Sequence, residues 1–124
     1  MTKEVLKFIS DKLTKSKINY SFGEWTSDIV YPYFVGEYVD FGAANEDGLY
    51  ESDFTLIGFS RDAWLTLEKA RETIEKLFAD CTTILKNGSG VDISYSGCRI
   101  IPTGDDELKR IEINLKIKEW KVTI

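Results

Sequence analysis

Histidine is absent from the 124 residues. That removes the commonest general base, the commonest metal ligand and the usual charge switch near neutral pH together. No Ser-His-Asp or Cys-His arrangement can be assembled within this chain. Cysteine occurs only at Cys81 and Cys98, too few for a disulfide framework and at a spacing that matches no zinc motif. Both are expected to act as small buried hydrophobes. Basic runs are also missing: 16 lysines and arginines stand against 21 acidic residues, for a net charge of −5. An acidic chain without a basic cluster is poorly suited to neutralising phosphates, so no direct sequence-specific nucleic-acid binding is expected. No stretch approaches the ~18 consecutive apolar residues of a membrane span, and the first residues carry no apolar leader. The expectation is an intracellular, soluble chain without a membrane partner. GxGxxG, P-loop, HExxH and CxxC patterns are absent too, so no catalytic residue, cofactor or metal site is assigned and no enzymatic activity is expected.

What the sequence does contain is the composition of a folded chain, 43% hydrophobic and 13% aromatic, long enough for one domain over residues 1–124 to bury a core without staples. Its clearest pattern is at the end. Ile111, Ile113, Leu115 and Ile117 alternate with Glu112, Asn114, Lys116 and Lys118, the signature of a strand buried on one face and wet on the other. Then the parity changes: Glu119 and Lys121 take the odd positions, while Trp120, Val122 and Ile124 are apolar on the even ones. A β-bulge near Lys118–Glu119, a sharp twist, or a tail leaving the sheet would each produce this change. Ile111 to Ile117 reads as core, and Trp120 to Ile124 as a segment available to another subunit.

The remaining elements follow in order. Residues 2–15 predict an amphipathic helix capped by Thr2, with Val5, Leu6, Phe8, Ile9 and Leu13 as its apolar stripe. Residues 18–22 predict a short strand ended by Gly23. Residues 24–32 predict an irregular connection, because Pro32 biases Tyr31 toward an extended conformation. Residues 33–41 and 50–60 predict an antiparallel hairpin, with aromatics on both faces of its first strand and a long acidic tip around Asp47-Gly48. A second helix is expected after an Asp62 N-cap, with Ala63, Trp64, Leu67, Ala70, Ile74, Leu77 and Phe78 on its apolar side. Asn87-Gly88-Ser89-Gly90 marks a turn, Val91, Ile93 and Tyr95 a half-buried strand, and Gly97 a bulge. Residues 103–107 form an acidic turn. The order predicts an α+β fold, with a largely antiparallel sheet and two main helices packed on one face.

The acidic clusters Glu46-Asp47 and Asp105-Asp106-Glu107 lack the oxygen-ligand spacing of a calcium loop and read as solvated turns. Tyr31, Tyr33, Phe34, Tyr38, Phe41 and Tyr50 suit core and subunit contacts better than sugar or base stacking, since strand aromatics pack well against neighbours.

Four segments together resemble the small tail-completion proteins of long-tailed phages and prophages of Gram-positive bacteria: Tyr31-Pro-Tyr-Phe-Val-Gly-Glu-Tyr38, Asn45-Glu-Asp-Gly-Leu-Tyr-Glu-Ser-Asp-Phe-Thr-Leu-Ile-Gly-Phe-Ser60, Trp64-Leu-Thr-Leu-Glu68 and Ile101-Pro-Thr-Gly-Asp-Asp-Glu-Leu-Lys-Arg-Ile-Glu-Ile113. The resemblance covers roughly residues 30–121. It implies a tail-terminator subunit, a structural protein of virion assembly. Such a subunit closes as a ring, hexameric by resemblance, at the head-proximal end of the tail and joins other tail and head-connector proteins. It implies assembly in the host cytoplasm and a final place at the head–tail junction. A ring subunit needs edges that match its neighbours and no catalytic group. The candidate contact residues are Tyr33, Tyr38, Asp47 and Tyr50 on the hairpin, and Glu119, Trp120 and Val122 at the parity change. A small acidic immunity or antitoxin-like protein, made to capture a basic partner, is the competing reading. A third is a small-ligand or enzymatic domain, which needs a deep apolar pocket with convergent polar groups.

Overall fold

A computed structural model describes residues 1–25, 28–43 and 48–121. The first helix, α1 (Lys3–Lys15), begins where Thr2 caps it and buries Val5, Ile9 and Leu13. It ends with the amides of Ser16 and Ile18 bonded to the Leu13 carbonyl, and Lys17 in the left-handed position usually given to glycine (φ 62°). Strands β1 (Tyr20–Phe22), β2 (Tyr33–Ala43) and β3 (Leu49–Ser60) follow. After α2 (Trp64–Phe78) come β4 (Cys81–Ile84), β5 (Gly90–Ile100) and β6 (Lys109–Trp120).

All six strands form one sheet in the order β1-β2-β3-β6-β5-β4. Every pairing is antiparallel except β1 with β2, which is parallel. The α+β class and the largely antiparallel sheet are as the sequence pattern predicts. Both helices bury their stripes against one sheet face, in a single core with Phe34, Phe54, Leu56, Val91, Ile93 and the odd-numbered apolar residues of β6. Each fully buried Leu, Ile or Phe in it is worth about 1.5–3 kcal/mol of apolar transfer. Among the described residues, the opposite face of the sheet carries no helix.

Close packing on the helix side depends on two glycines. Phe34 lies directly opposite Gly58, and a Cβ built on Gly58 would meet the Phe34 ring at 2.3 Å. A Cβ on Gly36 would meet Phe54 at 2.6 Å and Tyr20 at 2.7 Å. The rings of β1, β2 and β3 therefore lie flat across the glycines of adjacent strands. The expected bulge at Gly97 is present: the β5–β6 register shifts between Tyr95 and Cys98, with Gly97 at φ 108°.

Several local expectations change. Ala63, not Asp62, is the N-cap of α2 and makes no side-chain cap bond. The Asp62 amide donates to the hydroxyl of buried Ser60 as the chain leaves β3, and the helix starts one residue further on. Trp64 is then left exposed at the first turn and does not join the apolar stripe. Cys81 is buried as expected, but Cys98 is exposed, on the part of β5 that β4 does not cover.

Candidate functional site

The parity change in β6 has a different cause from those expected. Pairing runs without a shift from Ser60↔Lys109 to Leu49↔Trp120 on one side, and reaches Gly90↔Trp120 on the other. The alternation never breaks, so Glu119 falls on the core-facing side as the next inward residue after Ile117. It is 2% exposed. Its carboxylate accepts the Thr2 hydroxyl at 2.9 Å and the Thr2 amide at 3.5 Å. A polar residue thus occupies a core position because the entrance of α1 supplies its donors. Glu119 is accordingly corrected as a contact residue: it lies inside the fold and offers nothing to a neighbour.

Trp120 is likewise part of the sheet, paired on both sides, and does not begin a detached tail. Its indole lies on the helix-free face beside Gly90 and is partly exposed. Tyr50 pairs with Glu119 and has the Lys121 ammonium 3.8 Å above its ring centroid, a short cation–π contact. Tyr38 is exposed, stacked on Phe22 at 6.0 Å between centroids. Asp47 and Val122 lie outside the described residues, as does most of the acidic hairpin tip.

Tyr33 belongs to a cluster that sequence reading did not assemble. Trp25 and Tyr31 pack on it at 5.0 and 5.6 Å, and Phe59 stacks on its other side at 5.1 Å. Arg61 donates to the Tyr31 hydroxyl at 3.3 Å and pairs with Asp105 at 3.5 Å. Arg110 places its guanidinium over Phe59 at 5.7 Å. Burial pushes the Tyr33 phenol above its ordinary pKa, with the Tyr31 phenol adding to the shift and Arg61 opposing it. The signal for part of this was present, since Tyr33, Phe59 and Arg110 occupy one row once the strands are in register. The contribution of Trp25, from an irregular connection, carried no periodic signal.

The candidate residues therefore do not converge. Tyr33 and Trp120 lie toward opposite ends of the helix-free face, Tyr38 lies along one border of the sheet, and Glu119 is internal. Surface depressions include one of about 170 Å³ between α1 and the β4–β5 turn, lined by Phe8, Leu85 and four charged side chains, and one of about 360 Å³ lined by Phe41 and residues of β3 and β6. Among the described residues, no three His, Cys, Asp or Glu side chains are grouped to hold a metal ion, and no helix is long and apolar enough to cross a membrane.

No family model matches the sequence, and no curated protein matches it either. A solved structure of a protein whose name describes no activity is similar in fold, with a TM-score of 0.69 at 13% identity, over 100% of this chain and 99% of the other. At that identity the likeness speaks for the fold alone.

Proposed function

We propose that the chain is a structural subunit of virion assembly, of the tail-completion kind. It closes as a ring with copies of itself at the head-proximal end of a phage tail and joins neighbouring tail and head-connector proteins. The observation that carries this reading is the run of segments from Tyr31 to Ile113 that resembles such proteins. The α+β fold is of the class that the resemblance implies, and the exposed apolar side chains Tyr38, Val39, Phe41 and Ile84 on its strands suit permanent neighbours better than water. A net charge of −5 suits a collar through which DNA passes without adhering.

The test is genetic and visual. Particles assembled without the chain should show tails of irregular length that are not joined to filled heads. Tails of fixed length on filled heads in its absence would sink the reading.

A further inference from the structure

The two borders of the sheet are stepped, and the steps are complementary. On one border β1 covers β2 only from Phe34 to Gly36, and β2 runs on uncovered from Glu37. On the other, β4 covers β5 only from Gly90 to Ile93, and β5 runs on uncovered from Ser94 to Ile100. Register across the sheet fixes where the steps fall. Phe34 is level with Gly58, Ile111 and Ile100, and Gly36 with Leu56, Ile113 and Cys98. Asp40 is level with Ser52, Ile117, Ile93 and Cys81. So β1 lies wholly on the levels that β4 leaves empty, and β4 on the levels that β1 leaves empty.

We propose that a second copy of this chain docks border to border through these steps, giving a head-to-tail joint in which the sheet continues from one copy to the next. With both copies in the same orientation, β1 fills the space beside β5 of its neighbour, running antiparallel to it. The neighbour's β4 fills the space beside β2, running parallel. Two short strands thus share one strand-wide slot without overlapping.

Beside the complementary steps, two observations favour a second copy as occupant. Backbone groups on both borders point outward: the Phe34 amide donates to the Asn19 carbonyl and the Gly36 carbonyl accepts from the Gly23 amide, so by alternation Tyr38 and Asp40 also turn theirs away from β3. Likewise the Leu85 amide bonds to Ser89 and the Ile101 amide to Arg110, which leaves those of Ile84, Cys98 and Ile100 facing out. Exposed apolar side chains gather on the same borders, Phe22, Tyr38, Val39 and Phe41 on one, Ile84 and Ile100 on the other. An uncovered apolar strand edge is a template for another strand. The contact is heterologous, so repetition gives a ring or a filament and never a closed pair. It would supply the contact required by the ring proposed above, but it stands on the geometry of the borders and not on the virion reading.

The test uses the native Cys98, which is exposed on the uncovered part of β5 and level with Phe22. Purified Phe22→Cys protein, mildly oxidised, should give a non-reducing gel ladder of dimers, trimers and larger species, abolished by adding Cys98→Ser. In the otherwise native chain, Ile84→Pro removes one outward amide of β4 at an edge position that tolerates proline. It should weaken association about tenfold in sedimentation, the scale of one lost backbone hydrogen bond. Cross-linking that stops at dimers would mean a two-fold contact and would overturn the joint. So would a protein that is folded by circular dichroism, gives no cross-link and sediments as a monomer at its highest soluble concentration. The virion reading fails separately: a ladder combined with normal particles in the absence of the chain would retain the joint and remove that reading.

Discussion

The hydroxyl of Thr2 donates to Glu119 at 2.9 Å, across 117 residues of sequence, while accepting the amide of Val5 at 3.4 Å. One side chain therefore caps α1 and satisfies a carboxylate buried at the end of a central strand. The partial positive charge at the helix entrance adds to the stability of that arrangement. Next to it, the Met1 ammonium contacts Asp40 at 2.8 Å and holds its carboxyl below the ordinary carboxylate range.

Replacing Thr2 should accordingly cost more than a helix cap alone. A cap is worth about 1 kcal/mol, and a buried carboxylate that loses its hydroxyl partner adds about 1–3 kcal/mol. Thr2→Ala is expected to lose about 2–4 kcal/mol in denaturant unfolding, with Thr2→Ser close to native. A double-mutant cycle of Thr2→Ala with Glu119→Ala should give a coupling energy well above zero. Additive losses would mean that the two residues do not act together.

The packing of Phe34 over Gly58 makes a second prediction. Gly58→Ala places a methyl group 2.3 Å from the ring, too close for either strand to accommodate unmoved. The variant should lose about 1–3 kcal/mol by overpacking, and trimming the ring with Phe34→Leu in the same chain should recover part of the loss. Urea unfolding measures both. An equal loss with and without the second substitution would contradict the proposed clash.

Tyr20 gives a prediction at alkaline pH. Burial beside Gly36 pushes its phenol up to about 12, against an ordinary value of 10.0. Because the folded pKa lies above the unfolded one, the stability linked to its neutral form is fully present below pH 10 and is lost as pH rises through about 12. Ultraviolet difference titration should show a phenol ionising near pH 12 that Tyr20→Phe removes. Stability should decline less steeply between those two values in Tyr20→Phe. A Tyr20 that ionises together with the exposed tyrosines would contradict the burial argument.

Much of this fold was legible because periodicity and turn chemistry report on local structure. The alternation of Ile111 to Ile117, the stripe of Val5, Ile9 and Leu13, and the turns at Asn87-Gly88 and Gly97 each carry a physical signal within a few residues. What was not legible depended on contacts distant in sequence. Glu119 looked like a break in the β6 pattern because its partner is Thr2, at the other end of the chain. The parallel pairing of β1 with β2 is also invisible to local reading, since nothing in Tyr20-Ser-Phe22 specifies strand direction. The start of α2 at Ala63 is likewise absent from the capping preferences, which favour Asp62. Among the contact candidates, Tyr33, Tyr38 and Trp120 reach the surface, but that Tyr38 lies on a border of the sheet and Trp120 on a central strand appears only once strand order and register are known.

The central claim is that this chain is an assembly subunit that binds copies of itself. Negative-stain electron microscopy of the concentrated protein, alone and mixed with tail tubes, tests it most directly. The account predicts closed rings of uniform diameter, free or capping one end of the tubes. Protein that remains monomeric under both conditions and leaves tube ends bare would contradict it.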